Sequence, residues 1–335
     1  MRFATFQHNG NQLCGALSPT EDKIHPFPQG TTLLHLVEQS EQDLRQAGAA
    51  ALDTATPVAL TDVRLLPPLQ PPTIRDFMTF EQHLEGMAQG FGDSVPDEWY
   101  AQPAFYFSNP YSVVGAHDDV AVPPGCERFD FELEVAAVIG KAGRDLSPER
   151  AREHIVGYTI LNDWSARDLQ GFEMKVKLGP AKGKDSATTL GPWLVTTDEL
   201  EAARGRDGRL DLNVLVKVND DVIGWDNLCH MAWTFEEMAA YASRGTEVRP
   251  GDVLGSGTCG NGCLAEFWGR RGKLDPPPLV PGDVVTLAVE GLGSISNTVV
   301  AGTEPVPIPT ARRPGTAGRT GRTSPVRLRP PGAED

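Results

Sequence analysis

The stretch Phe131-Glu132-Leu133-Glu134-Val135-Ala136-Ala137-Val138-Ile139 decides how the chain reads. In an extended strand successive side chains alternate between faces, so Glu132 and Glu134 project side by side from one face while Phe131, Leu133 and Val135 project from the other. Every residue from Val135 onward is apolar, the pattern of a strand covered on both faces. An isolated Glu-x-Glu is ordinarily a solvated strand face, but these flanks argue for burial. Two like charges in apolar surroundings repel and lose solvation, so they need a cation or a proton.

A second apolar run, Ile155 to Leu161, ends in Asn162-Asp163-Trp164 and puts a third carboxylate where a strand opens into a loop. Three oxygen donors with no Cys or His among them suit a hard ion, Mg²⁺ or Mn²⁺ ahead of zinc, with Ca²⁺ also admissible. Arg167, Gln170 and Lys184 follow within one stretch. Cationic and amide groups beside a metal are natural donors to a carboxylate or a developing oxyanion. Gly179 to Lys184 is GxxxGK, one residue short of a phosphate-binding loop, and Asp185 stands where that loop needs Ser or Thr. Nucleotide binding is therefore not expected.

Around these motifs, apolar strand-like runs alternate with Gly/Pro turns and only a few helices, which gives an α+β, β-dominated class. Ser147-Pro148 reads as a helix start, and Thr234 with Glu237 forms a capping box for a helix ending near Gly245. The cassettes Pro250-Gly251-Asp252-Val253 and Pro281-Gly282-Asp283-Val284 each set a turn before a short strand, read as separate turns in one sheet system. The segment TLLHLVEQSEQDLRQ, from Thr32, reads as one helix. Prolines 67, 68, 71 and 72 mark a boundary, so residues 1–71 are expected to form a small N-terminal domain and 72–304 the main one. Residues 305–335, rich in Arg, Pro and Gly with almost nothing to bury, read as a disordered tail.

The chain has 335 residues and a formal net charge of -15. That balance argues against a nucleic-acid partner, which would need clustered Lys and Arg, but admits a small anion bound by local positive charge. Five cysteines with no CxxC pair suggest neither a disulfide framework nor a zinc ribbon. Cys259 and Cys263, four apart without a neighbouring Cys or His, read as two inert small residues. The N-terminus lacks signal-peptide character and no stretch reaches membrane-spanning length, so a soluble cytoplasmic protein is expected.

Asp163-Trp164-Ser165-Ala166-Arg167-Asp168-Leu169-Gln170, preceded by Glu132-x-Glu134 and followed by GPxxGKxxxTT from Gly179, resembles the fumarylacetoacetate hydrolase family. The likeness runs from about Pro72 to Val300. It implies a mixed β-roll catalytic domain, a homodimer, and metal ligation by Glu132, Glu134 and Asp163, with Asp76 at the fourth ligand position of the fumarylacetoacetase branch. His83 matches that branch's catalytic histidine, with Glu266 as its partner and Lys184 as a further catalytic group. Arg167, Gln170, Tyr106 and Thr258 fall on substrate-binding positions. Departures from the family pattern are Met78 for a tyrosine, Ala187 for a glycine, a shorter loop from Thr258 to Glu266, and no arginine between Leu84 and Tyr100. The implied activity is metal-dependent hydrolysis of a carbon–carbon bond in a small 2-oxo or 1,3-dicarbonyl acid, an acylpyruvate or a fumarylacetoacetate-like compound. The alternatives are a decarboxylase or isomerase of an oxaloacetate-type 2-oxo acid on the same scaffold, and a non-catalytic ligand-binding protein.

Overall fold

The computed structural model describes residues 1–89 and 94–311. Seven strands of its main sheet matter to the site: β1 (Arg2–His8), β2 (Ile74–Phe77), β3 (Phe105–Ser108), β4 (Leu133–Ile139), β5 (Ile155–Asp163), β6 (Thr188–Thr196) and β7 (Val253–Gly255). They lie in the order β1-β6-β5-β4-β7-β2-β3, with β7 and β2 parallel and the other pairs antiparallel. A second sheet, built on the strands Asn213–Val218, Asp221–Asn227, Val284–Val289 and Gly293–Val300, faces the first.

The alternation read from the central strand accounts for the packing. Leu133, Val135, Ala137 and Ile139 point into one core shared with Val214, Val216, Val285 and Leu287 of the second sheet. Ala136 and Val138 point into a second core with Leu33, Val37, Leu44 and Ala51 from two N-terminal helices. Both faces of β4 are covered, as its unbroken apolar run requires. Glu134 shares the face of Ala136 and Val138, so its burial is dictated by the strand that carries it.

The structure departs from the sequence reading in three places. Residues 1–71 form no separate body: β1 pairs with β6 at Arg2↔Val195 and Phe3↔Leu194, and Met1–Thr303 is one compact unit. The expected single helix is two, Leu33–Gln39 and Glu41–Thr54, because Ser40 is extended; it ends the first and caps the second by accepting from the Asp43 N–H. The two Pro-Gly-Asp-Val turns serve different sheets, Val253–Gly255 in the first and Val284–Val289 in the second. The helix Phe235–Ser243 carries the expected capping box, and Pro148–Ala151 starts after Ser147. Among the described residues no helix is long and apolar enough to cross a membrane. Residues 304–311 are exposed and without regular structure; the expectation for the rest of the tail lies outside the described residues.

Candidate metal centre and active site

Strand register assembles the acidic residues. Ala136 of β4 pairs with Gly255 of β7, Gly255 pairs with Asp76 of β2, and Asp76 pairs with Tyr106 of β3. Asp76 and Glu134 therefore meet across Gly255, where a Cβ would stand 2.9 Å from both Asp76 Oδ1 and Glu134 Oε2. Asp163 closes the group from the end of β5, held where the Trp164 indole stacks on Phe129 and donates to Thr189 Oγ1 at 2.9 Å. One oxygen from each of Asp76, Glu132, Glu134 and Asp163 lies within 4.8 Å of the other three, and all four residues are buried. A hard cation with ligand bonds of roughly 2.0–2.6 Å spans that separation. Gly255→Ala is expected to weaken divalent-metal affinity by about 10-fold or more, on the scale of lost support around metal ligands, with the fold retained; metal titration and far-UV circular dichroism check this.

The electrostatics favour a cation too. Asp76 Oδ1, Glu134 Oε1 and Asp163 Oδ1 are buried with no hydrogen-bond partner, and unpaired buried carboxylate oxygens are costly. Burial, reinforced by the neighbouring carboxylates, pushes the Glu134 and Asp163 carboxyls well above the ordinary range, and burial raises Asp76. Glu132 moves the other way: burial opposes its ionisation, but Lys184, Arg167 and His83 outweigh it. Lys184 Nζ lies 2.5 Å from Glu132 Oε2 and 2.5 Å from Asp163 Oδ2, and Arg167 Nη2 lies 2.7 Å from Glu132 Oε1. The Tyr106 hydroxyl reaches the acids themselves, 2.9 Å from Asp76 Oδ2 and in contact with Asp163 Oδ2. Five buried carboxylates, Asp130 included, thus face two cations, buried Lys184 and Arg167, whose side chain is 8% exposed. The surplus negative charge is neutralised by protons, as the raised carboxyls indicate, or by a divalent metal.

The sign of the resulting pH effect follows. Asp76, Glu134 and Asp163 bind protons more tightly folded than unfolded, so their contribution to stability falls as pH rises above their ordinary range of about 4. Glu132, depressed when folded, loses its contribution only as pH falls below that range. Between pH 5 and 8 the chelated protein is expected to lose melting temperature by roughly several degrees, and saturating Mg²⁺ to remove most of that slope. A thermal-melting series with and without chelator reads both.

Helix α1 (Glu81–Gln89) carries His83 and helix α3 (Leu264–Arg271) carries Glu266. Two glycines let these helices touch: a Cβ on Gly269 would stand 2.2 Å from the Gly86 carbonyl oxygen, and one on Gly86 would stand 3.1 Å from Glu266 Cγ. His83 Nδ1 and Glu266 Oε1 are 2.9 Å apart and buried. Glu266 Oε2 accepts from the Asn261 N–H at 2.9 Å and from Arg270 Nη1 at 3.3 Å. Ligand-type atoms of His83, Glu132 and Cys263 also lie within 4.8 Å of one another, so the imidazole adjoins the acidic cluster through Glu132.

Two further residues singled out in the sequence, Gln170 and Thr258, are less central. Gln170, on helix α2 (Arg167–Glu173), accepts from Arg167 Nη1 at 3.3 Å, and both residues line a cleft of about 830 Å³ with Met87, Arg128, Lys175 and Trp268. Thr258 is buried in the loop after β7, next to Gly257, whose N–H donates to Glu134 Oε2 at 3.0 Å. Met78, a departure from the family pattern, is exposed. Within the arginine-free segment from Leu84 to Tyr100, residues 90–93 lie outside the described residues.

Asp130 escaped the sequence reading. Fully buried, it accepts from the Leu264 and Ala265 N–H groups at 2.8 and 3.0 Å, at the start of α3, and from Arg167 Nε at 2.8 Å. It binds together the helix that carries Glu266 and the arginine that reaches Glu132. The signal was present: the alternation of Glu132 and Glu134 extends back to Asp130.

An all-carboxylate cluster of this span, beside a buried His–Glu pair in a β-rich frame, marks the class: a protein whose buried acids could hold a hard divalent cation, with groups suited to acid–base chemistry beside them. The chain belongs to the fumarylacetoacetate hydrolase family, whose model, described as Fumarylacetoacetate (FAA) hydrolase C-terminal, matches residues 73–300. It is 30% identical over 265 residues to a fumarylacetoacetase of Arabidopsis thaliana, covering 64% of this chain and 63% of that protein, just under two thirds of the relative's length. It is 34% identical over 201 residues to an oxaloacetate tautomerase of Xenopus laevis, covering 59% of this chain and 58% of that one. A solved fumarylacetoacetate hydrolase from the psychrophile Exiguobacterium antarcticum superposes with a TM-score of 0.68 at 28% identity, covering 90% of this chain and 99% of that one. The fold is that of the family, α+β with sheets dominant.

Proposed function

We propose that this chain is a divalent-metal-dependent hydrolase that cleaves a carbon–carbon bond in a small 2-oxo or 1,3-dicarbonyl acid, an acylpyruvate or a fumarylacetoacetate-like compound. One observation carries the reading: a buried imidazole, 2.9 Å from a buried carboxylate, adjoins the four-acid cluster through Glu132. Asp76, Glu132, Glu134 and Asp163 would hold the ion, Mg²⁺ or Mn²⁺ by the chemistry of the donors. When bound, that ion supplies Lewis-acid polarisation of the substrate's paired oxygens.

The remaining steps fall to the chain's own groups. With its Nδ1–H donated to Glu266, His83 keeps the Nε2 lone pair free to take a proton from water. Glu266 then stabilises the imidazolium, and its own bonds to Asn261 and Arg270 hold it in place. Water attacks the carbonyl, the carbon–carbon bond breaks, and the departing enolate carbon receives a proton back from His83. Lys184, Arg167 and Gln170 would bind the substrate carboxylate or the developing oxyanion, while Tyr106 and Thr258 would orient the substrate. Two copies of the chain would pair as a homodimer.

A second reading is favoured by the Xenopus laevis relative, named an oxaloacetate tautomerase: keto–enol isomerisation of an oxaloacetate-type acid, in which His83 moves a proton at carbon and no water is activated. Product analysis separates the two. Acylpyruvates incubated with Mg²⁺ are expected to give pyruvate and a second carboxylic acid, and chelator should stop the reaction. Turnover of oxaloacetate with acylpyruvates left intact would overturn the hydrolase assignment.

A further inference from the structure

We propose that His83, Cys263 and Glu266, with Glu132 as a fourth donor, form a second cation site, selective for a thiophilic ion of the zinc type, distinct from the four-carboxylate cluster but sharing Glu132 with it. Cys263 Sγ lies 3.8 Å from His83 Nδ1 and 3.8 Å from Glu266 Oε1, and those two atoms are 2.9 Å apart. A tetrahedral ion with a bond of about 2.3 Å to sulfur and about 2.0–2.1 Å to nitrogen and oxygen sets S–N separations near 3.5 Å and N–O separations near 3.3 Å. The observed triangle meets those distances after shifts of a few tenths of an ångström. Glu132, whose two oxygens pair with Arg167 and Lys184, offers an oxygen within 4.8 Å of both sulfur and imidazole. His83, Cys263, Glu132 and Glu266 are all more than nine-tenths buried, so an ion there would be well shielded from water.

The two donor sets differ in kind. Four carboxylates select a hard ion, whereas thiolate, imidazole and carboxylate select zinc or cadmium. As the sulfur–metal bond forms, the thiol proton leaves to solvent. Coordination at Nδ1 moves the ring proton to Nε2, and coordination at Nε2 uses its lone pair directly. In either case the imidazole no longer accepts a proton, so an ion at this site inhibits; that clause rests on the hydrolase reading, while the existence of the site does not.

The test is a Co²⁺ titration of the Mg²⁺-saturated protein, followed by near-ultraviolet absorption and run in parallel on Cys263→Ala and Cys263→Ser. The wild type is expected to develop a thiolate-to-cobalt charge-transfer band that both variants lack, with thermal melting confirming that the variants are folded. Absence of the band from the wild type, or its persistence in the folded variants, overturns the site. With acylpyruvate as substrate, one equivalent of Zn²⁺ is expected to reduce the wild-type rate by about 10-fold more than that of either variant, each relative to its own untreated rate. Equal reduction in all three, with the band present in the wild type only, overturns the inhibitory role and leaves the site standing.

Discussion

Replacing His83 by alanine is expected to lower kcat for acylpyruvate cleavage by about 100- to 10,000-fold, the usual contribution of a positioned acid–base group. Divalent-metal affinity should change little, since the carboxylates that carry the ion are untouched. In the proposed mechanism His83 acts with Glu266, 2.9 Å away, as a unit, so Glu266→Gln should lose much of the same factor, and the double variant scarcely more than His83→Ala. Steady-state rates with saturating Mg²⁺, beside a metal titration of each variant, read both halves. Full activity in His83→Ala would remove water activation from the mechanism and leave the metal centre in place.

Replacing Glu134 by alanine is expected to cost activity about 1,000-fold or more, because Glu134 is a proposed ligand of an ion worth several kcal/mol of transition-state stabilisation. Glu134 is fully buried, has one oxygen without a partner, and holds the loop after β7 through the Gly257 N–H. The loop bond makes Glu134→Gln the necessary companion: the amide oxygen still accepts from Gly257 while the charge is gone. Both variants should need far more Mg²⁺ than the wild type. Metal titration monitored by activity checks this, and wild-type metal affinity in Glu134→Gln would contradict it.

Much of the fold was legible because strand periodicity is local, and so were Glu132, Glu134 and Asp163 of the candidate site; Asp76, His83, Glu266, Tyr106 and Thr258 were reached only through the family resemblance. The run from Phe131 to Ile139 told which side chains share a face and that both faces are covered, and the two cores divide along that alternation. The capping box at Thr234 was legible for the same reason: it needs only four consecutive residues. What escaped depends on distant partners. Ser40 breaks a helix whose apolar spacing runs straight through it, and the proline cluster before Asp76 bends a chain whose two sides share one sheet. Asp130 went unread although it shares the alternation of Glu132 and Glu134, because its partners, the N-terminus of α3 and Arg167, are distant in sequence. Cys263 read as inert because no histidine is near it in sequence, yet His83, 180 positions earlier, lies beside it in space.

In the proposed centre, four acids from separate parts of the chain hold one hard cation beside an imidazole. Mn²⁺ titration followed by electron paramagnetic resonance tests it most directly. The wild type is expected to bind one ion tightly per chain, with activity that rises with occupancy, and to lose that ion when Glu132 and Glu134 are both replaced by glutamine. Undiminished Mn²⁺ binding in that double variant, or full activity in metal-stripped protein, would contradict it.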